Sequence, residues 1–131
     1  MKYMILVNAS QQDYDEMARW SPADFAAMGQ SMEQFSKELT ESGELVDTRG
    51  LTSPAQARRI QGRGSEAVVT DGPYAETQEV LAGYWVVDCA SFDRATQIAS
   101  RLTSCPGPDH VRARAYADVR PVAEHQPDFE G

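Results

Sequence analysis

The sequence predicts an α+β domain with a ferredoxin-like order of elements. Two β-α-β units would form one antiparallel sheet, with both helices on one face of the sheet and a β-hairpin inserted between the units. Four observations lead to this prediction. An apolar run at residues 2–8 is typical of a buried first strand, and apolar residues then recur at helical spacing over residues 25–39. A strand followed by a helix returns at residues 80–102, and a segment of alternating polarity follows at residues 111–120.

The first predicted helix follows a polar, acidic segment at residues 10–20, which we expect to be a loop. Ser21 is a suitable N-cap, Pro22 fits the first helical position, and Asp24 places a carboxylate in the first turn. Large apolar side chains then alternate at spacings of three and four, which places them on one helix face: Phe25, Met28, Met32, Phe35 and Leu39. Gly43 is predicted to end the helix in a left-handed conformation.

The inserted hairpin is predicted between the two units. A second strand at residues 44–51 ends before Pro54. Two short strands at residues 57–61 and 66–70 follow, and a Gly-Arg-Gly turn at residues 62–64 joins them.

The second unit contains a strong strand at residues 80–88 and a helix capped by Ser91. The helix has a short apolar stripe made by Ala95, Ile98, Ala99 and Leu102. A last strand is predicted over residues 111–120, because small apolar residues alternate there with polar ones: Val111, Ala113, Ala115, Ala117 and Val119 against Arg112, Arg114, Tyr116, Asp118 and Arg120.

Both faces of the two strongest strands are apolar. In the first strand, Tyr3, Ile5 and Val7 point to one side, and Met4 and Leu6 point to the other. The strand at residues 80–88 has the same property. Two helices can cover one face of a sheet only, so the second face needs another cover, either the hairpin or a second copy of the chain.

Length and charge limit the classes of function. A chain of 131 residues fits one domain, which we place at residues 1–122, followed by a mobile tail at residues 123–131. The formal charge of −8, from 20 acidic and 12 basic residues, disfavours binding to nucleic acid or to an anionic membrane. The one dense basic cluster is Arg58, Arg59 and Arg63, which we interpret as a solvated hairpin edge.

The sequence indicates a cytoplasmic protein. The apolar run at residues 3–7 is too short for a secretory signal or a membrane span. Cys89 and Cys105 do not form a C-x-x-C pair, and we expect free thiols, with a mutual disulfide or a reactive thiol as the alternatives. The two histidines, His110 and His125, show no metal-ligand spacing, so no metal and no cofactor are predicted.

The segment D-G-P-Y-A-E-T-Q-E, residues 71–79, is the strongest local motif. It is expected first to form a turn, in which the Asp71 carboxylate accepts hydrogen bonds from the backbone amides that follow it. Its functional interpretation is a polar pocket, for which we select Asp71, Tyr74, Glu76 and Glu79 from the motif and Arg112, Arg114 and Arg120 from the last predicted strand. A purely structural turn and a solvated arginine face are the alternatives. No catalytic residue is assigned.

The motif resembles D-G-P-F-A-E-T-K-E, the signature of the DGPF branch of the YCII-related family, with Tyr74 and Gln78 in place of the usual Phe and Lys. The resemblance extends over nearly the whole chain. It includes the K-Y-M-I-L-V start, the E-S-G-E-L-V segment, and the segments G-L-T-S-P at residues 50–54 and V-R-P-V at residues 119–122.

The resemblance implies a ferredoxin-like fold of the dimeric α+β barrel type, in small bacterial proteins of mostly unassigned function. Several members are associated with extracytoplasmic-function sigma factors. An enzymatic role has been suggested for relatives from a His–Asp pair with its histidine on the first helix, but the helix predicted at residues 22–42 contains no histidine.

Two hypotheses of function follow. The first is a homodimer that binds a small molecule in a polar pocket near the D-G-P turn, whether or not it also catalyses a reaction. The second is an accessory or regulatory module without chemistry, which docks on a sigma factor or a similar partner. A pocket that brings Asp71, Glu76 and an arginine together would favour the first, and a flat apolar surface at the motif would favour the second.

Overall fold

The computed structural model describes residues 1–125 of the chain. Six strands and four helices follow one another in the order β1 (Lys2–Ala9), α1 (Gln11–Met17), α2 (Pro22–Glu41), β2 (Leu45–Gly50), β3 (Arg58–Arg63), β4 (Glu66–Asp71), β5 (Val80–Asp88), α3 (Phe92–Ser100), α4 (Asp109–Arg112) and β6 (Asp118–Pro121). Short 3₁₀ turns occur at Pro54–Gln56 and Arg101–Ser104. Of the predicted mobile tail, residues 126–131 lie outside the described residues, and Glu124 lies 3.6 Å from the Lys2 ammonium.

The main sheet has the strand order β2-β5-β1-β6, and every neighbouring pair is antiparallel. This order confirms the ferredoxin-like α+β prediction. The inserted hairpin, β3 and β4, forms a separate two-stranded sheet. Its turn lies at Gly64 and Ser65, slightly later than predicted, because β3 extends to Arg63.

The core lies between one face of the sheet and helices α2 and α3. It is built from ten buried side chains of the two central strands, the two helices and the segments that flank α3: Tyr3, Ile5, Phe35, Leu39, Val87, Cys89, Ala95, Ile98, Ala99 and Leu102. Two aromatic pairs meet edge to face, with ring centroids 5.6 Å apart for Phe35 and Trp85 and 5.2 Å apart for Tyr3 and Phe92. Cys89 and Cys105 are free thiols.

Helix α2 has the predicted limits but only part of the predicted buried face. The Ser21 hydroxyl accepts a hydrogen bond from the Asp24 amide at 3.1 Å, as expected of an N-cap. Phe35 and Leu39 are buried, whereas Phe25 at the start of the helix is 51 % exposed. The stripe therefore contacts the sheet mainly in its C-terminal half.

The C-terminus of α2 is fixed by a Schellman motif. Gly43 has a φ of 80°, and its amide donates to the Thr40 carbonyl at 3.1 Å. The next amide, of Glu44, donates to the Leu39 carbonyl at 3.0 Å. This turn aims the chain directly into β2.

A two-point ion pair then joins β2 to α3. The Arg94 Nε and Nη2 atoms donate to the Glu44 carboxylate at 2.9 and 2.8 Å. The Glu44 side chain is only 16 % exposed, and the hydrogen bonds from Arg94 lower the pKa of its carboxyl below the ordinary value. This contact joins the turn that follows α2 to α3 on the same face of the sheet.

The segment at residues 10–20, predicted as a loop, contains helix α1. A capping box begins it: the Ser10 hydroxyl accepts from the Asp13 amide at 3.1 Å, and the Asp13 carboxylate accepts from the Ser10 amide at 2.9 Å. The acidic composition of the segment concealed this signal, because no clear apolar stripe accompanies it.

The last strand is much shorter than predicted. Only residues 118–121 pair with β1, and residues 109–112 form helix α4, so the expectation of a strand from residue 111 was wrong. The Arg112 and Ala113 amides donate to the Pro108 and Asp109 carbonyls at 3.0 Å. Alanine and arginine favour helix, and an alternation that relies on alanine carries little of the burial that specifies a strand.

Across residues 1–125, no helix combines the length and the apolar character that a membrane crossing requires.

We predict that Phe35→Ala lowers the free energy of unfolding by about 3–5 kcal/mol, because it removes a buried ring that contacts Trp85. Phe25→Ala on the same helix is the matched control and should change stability by less than about 0.5 kcal/mol, since its ring is largely exposed. Urea unfolding of both variants measures the difference, and equal losses would contradict the assigned core face.

Candidate functional site

The D-G-P turn lies at the base of the hairpin. Asp71 is the last residue of β4, and its carboxylate accepts a hydrogen bond from Arg58 Nε at 2.9 Å. This cross-strand ion pair replaces the expected bonds to the following amides. The turn is made by the backbone: Gly72 has a φ of 52°, and its amide donates to the Ala57 carbonyl at 2.8 Å.

The rest of the motif connects the hairpin to α1. The Arg59 guanidinium lies over the Tyr74 ring, 5.0 Å from its centroid. The Glu76 carbonyl accepts from the Gln12 amide at 3.0 Å, while the Glu76 side chain is exposed. Asp71 and Tyr74 thus contact arginines of the hairpin, and none of Asp71, Tyr74 and Glu76 lines the cavity described next.

A cavity of about 260 Å³ lies elsewhere, at the end of β1 between α1, α2 and residues 105–116. Its apolar wall includes Val7, Met17, Trp20, Met28, Met32 and Leu102. The pairing of β1 with β5 shifts register between Val7 and Asn8, and both of these consecutive residues line the cavity. The residue left without a partner at this shift is Ala82 of β5, so the bulge lies in β5 where the ladder reaches the cavity.

Three of the seven predicted site residues line this cavity: Glu79, Arg112 and Arg114. Arg120 does not, because it lies opposite Met4 in β6, on the sheet face turned away from the helices. The polar groups that the sequence did not single out are Asn8, Asp13, Glu16 and Tyr116.

A cluster of charged groups joins α1 to α4 beside the cavity. His110 Nε2 contacts the Glu16 carboxylate. Arg114 lies 3.4 Å from the Glu16 carboxylate and 3.9 Å from the Asp13 carboxylate. The hydrogen bond from His110, followed by the charges of His110 and Arg114, lowers the pKa of Glu16 despite partial desolvation. Glu16 is therefore ionised at neutral pH and accepts hydrogen bonds.

A second polar pair also lines the cavity. The Tyr116 hydroxyl donates to the Glu79 carboxylate at 2.5 Å, and this hydrogen bond is the main cause that raises the pKa of the phenol. The pair connects the end of the D-G-P motif to the segment before β6. In this way the motif contributes one residue, Glu79, to the cavity wall.

Trp20 is the largest apolar group in the wall. An ideal Cβ added to Gly107 would lie 3.1 Å from the Trp20 ring, so the backbone of the loop after α3 packs directly on the indole. The indole N–H of Trp20 is buried and has no acceptor within residues 1–125. The indole thus joins the loop to the apolar wall.

The cavity offers hydrogen-bonding groups at one side and apolar surface at the other, which is the usual make-up of a site for a small organic molecule. Within residues 1–125, no group of three or more His, Cys, Asp or Glu side chains is placed to hold a metal ion.

Comparison with known proteins identifies the family to which the sequence is similar. The sequence profile of the YCII-related domain matches residues 1–120. An uncharacterized protein of Rhizobium meliloti (strain 1021) is 29 % identical over 115 residues, which cover 88 % of this chain and 89 % of that protein. The profile match includes every residue that lines the cavity.

We predict that Gly72→Ala lowers the free energy of unfolding by about 1–2 kcal/mol, because a side chain disfavours the positive φ at this turn. Asp71→Ala removes only an exposed ion pair and should cost less than about 1 kcal/mol. Chemical denaturation of both variants checks the order, and a larger loss for Asp71→Ala would show that its carboxylate, not the glycine backbone, maintains the turn.

Proposed function

This chain belongs to the YCII-related family, and from that premise we propose that it binds a small, mainly apolar organic molecule in the cavity between α1, α2 and residues 105–116. The observation that carries the proposal is the cavity itself, in which Trp20, Met28 and Met32 face a rim of paired polar groups. A volume of about 260 Å³ suits a molecule of one ring or a short branched chain. Within the family, the D-G-P-Y-A-E-T-Q-E segment favours the DGPF branch.

The polar groups favour recognition of such a molecule. Glu16 is kept ionised by His110 and Arg114, so it serves as a hydrogen-bond acceptor. Asn8 can donate and accept at the same rim. A cytoplasmic location fits the two free thiols.

The accessory-module hypothesis has one observation in its favour. Ile60 and Val69 are cross-strand partners on the hairpin, and they are 65 % and 59 % exposed. An apolar pair on a projecting hairpin suits contact with another protein, and the association of several relatives with sigma factors makes a sigma factor the proposed partner. Loss of partner binding on Ile60→Ser, with the cavity unaffected, would support this second function.

We further propose that two copies pair through the sheet face that carries no helix. Met4, Leu6, Tyr84 and Val86 lie on this face and are only partly buried in one chain. Burying them against a second sheet would remove apolar surface from water on both sides.

The cavity proposal predicts that phenol causes saturable chemical-shift changes at the Trp20 indole N–H and the Gly107 amide, with much smaller changes at the Trp85 indole N–H. Ala115→Trp should abolish these changes, because Ala115 lines the cavity and a large side chain there fills it. Ala113→Trp is the matched control: Ala113 is also exposed but lies outside the lining. Binding that survives Ala115→Trp would place phenol at another site and overturn the proposal.

The dimer proposal predicts a mass of twice 14.4 kDa in light scattering at micromolar concentration. Val86→Glu should yield monomers, because it places a charge in the apolar contact. Ile60→Glu should leave the mass unchanged, since the hairpin is not the proposed cover. A monomeric wild type would contradict the proposal.

A further inference from the structure

The charged side chains in the cavity wall differ in the partners that they already have within the protein. Three carboxylates line the cavity, and each has partners within the described chain. Asp13 accepts from the Ser10 amide at 2.9 Å, Glu16 contacts His110 and Arg114, and Glu79 accepts from Tyr116. Asp13 and Glu16 therefore lie close to the Arg114 cation, whereas the Glu79 carboxylate is bonded to the neutral Tyr116 hydroxyl.

The two arginines that line the cavity also differ in the number of partners that they have. Arg114 is shared between the Asp13 and Glu16 carboxylates, and its Nε donates to the His110 carbonyl at 3.3 Å. Arg112 lines the cavity, and its guanidinium has no ion pair or side-chain hydrogen bond with any of residues 1–125. Its backbone is fixed, because its amide donates to the Pro108 carbonyl at 3.0 Å. Arg112 therefore presents an uncommitted cation beside an apolar wall.

We propose that the molecule bound in this cavity is a small organic carboxylate, whose anionic group pairs with Arg112 and whose apolar body packs against Trp20, Met28 and Met32. This inference rests on the proposed function of the cavity. A guanidinium matches a carboxylate with two parallel hydrogen bonds, and such charge-assisted bonds are stronger than neutral ones.

A singly charged anion fits better than a phosphate ester. Among residues 1–125, Arg112 is the one cation of the cavity lining without an ion pair, whereas the lining already carries three carboxylates and the chain has a net charge of −8. A dianion would meet this negative field with twice the charge and the same single partner. A carboxylate can thus pair with Arg112 and is repelled less by the negative charges of the cavity than a phosphate dianion would be.

Benzoate and benzamide test the inference, because they have nearly the same shape and differ in charge. Titrations followed at the Trp20 indole N–H should show benzoate binding at least about tenfold more tightly than benzamide, which corresponds to about 1.4 kcal/mol. In Arg112→Gln this preference should disappear through loss of benzoate affinity, while benzamide affinity stays within about twofold, as expected when only charge recognition is removed. Arg63→Gln is the matched control, because it removes the same charge from the exposed end of β3, which lies outside both the cavity lining and the proposed dimer contact.

The outcomes separate the two proposals. If both probes bind with equal affinity to the wild type, the cavity is a binding site and the carboxylate inference is wrong. If Arg63→Gln weakens benzoate as much as Arg112→Gln, the effect is one of net charge, and the inference is again wrong. If neither probe changes the Trp20 signal, both the cavity proposal and this inference fail. Retained benzamide binding in Arg112→Gln shows that the variant is folded.

Discussion

The antiparallel pairing of β1 with β5 is the constraint on which the rest of the structure depends. These two strands are the centre of the sheet, and their register places Ile5 opposite Trp85 on the face that α2 and α3 cover. The only shift in that register, between Val7 and Asn8, lies where the strand reaches the cavity. The pairing of β1 with β5 therefore fixes the core along most of the two strands. At the end of β1, the register shift lies beside the polar residues of the cavity.

The parts of the fold that the sequence predicted well are those specified by short-range signals. Helix α2 has a serine cap, a proline at its first position and a glycine after its end, and each of these acts within one turn. Strand β5 is a continuous apolar run, for which few other secondary-structure assignments are reasonable. The predictions for residues 10–20 and 111–120 were wrong because neither segment buries a strong apolar face, so capping and helix propensity decided the structure there.

The candidate site was only partly predictable, because its residues meet through the fold. Glu79, Arg112 and Arg114 were selected for their chemistry, and they do lie in one wall. Asp71 was selected from the same motif as Glu79, but it faces the hairpin instead. Glu16 and His110 are 94 positions apart, and no local pattern connects them. A serine followed three residues later by an acid, at Ser10 and Asp13, was the one sequence signal that would have located α1 and therefore Glu16.

The hairpin of β3 and β4 has a consequence for how such a fold can diversify. Within the described chain, its strands pair with each other and with no strand of the main sheet. At the base of the hairpin, the Gly72 amide donates a hydrogen bond to the Ala57 carbonyl. The entropic cost of closing a longer inserted segment grows only with the logarithm of its length. Residues 58–71 can thus be lengthened, shortened or exchanged at little expense to the core, and the D-G-P segment marks the junction at which such a module is attached.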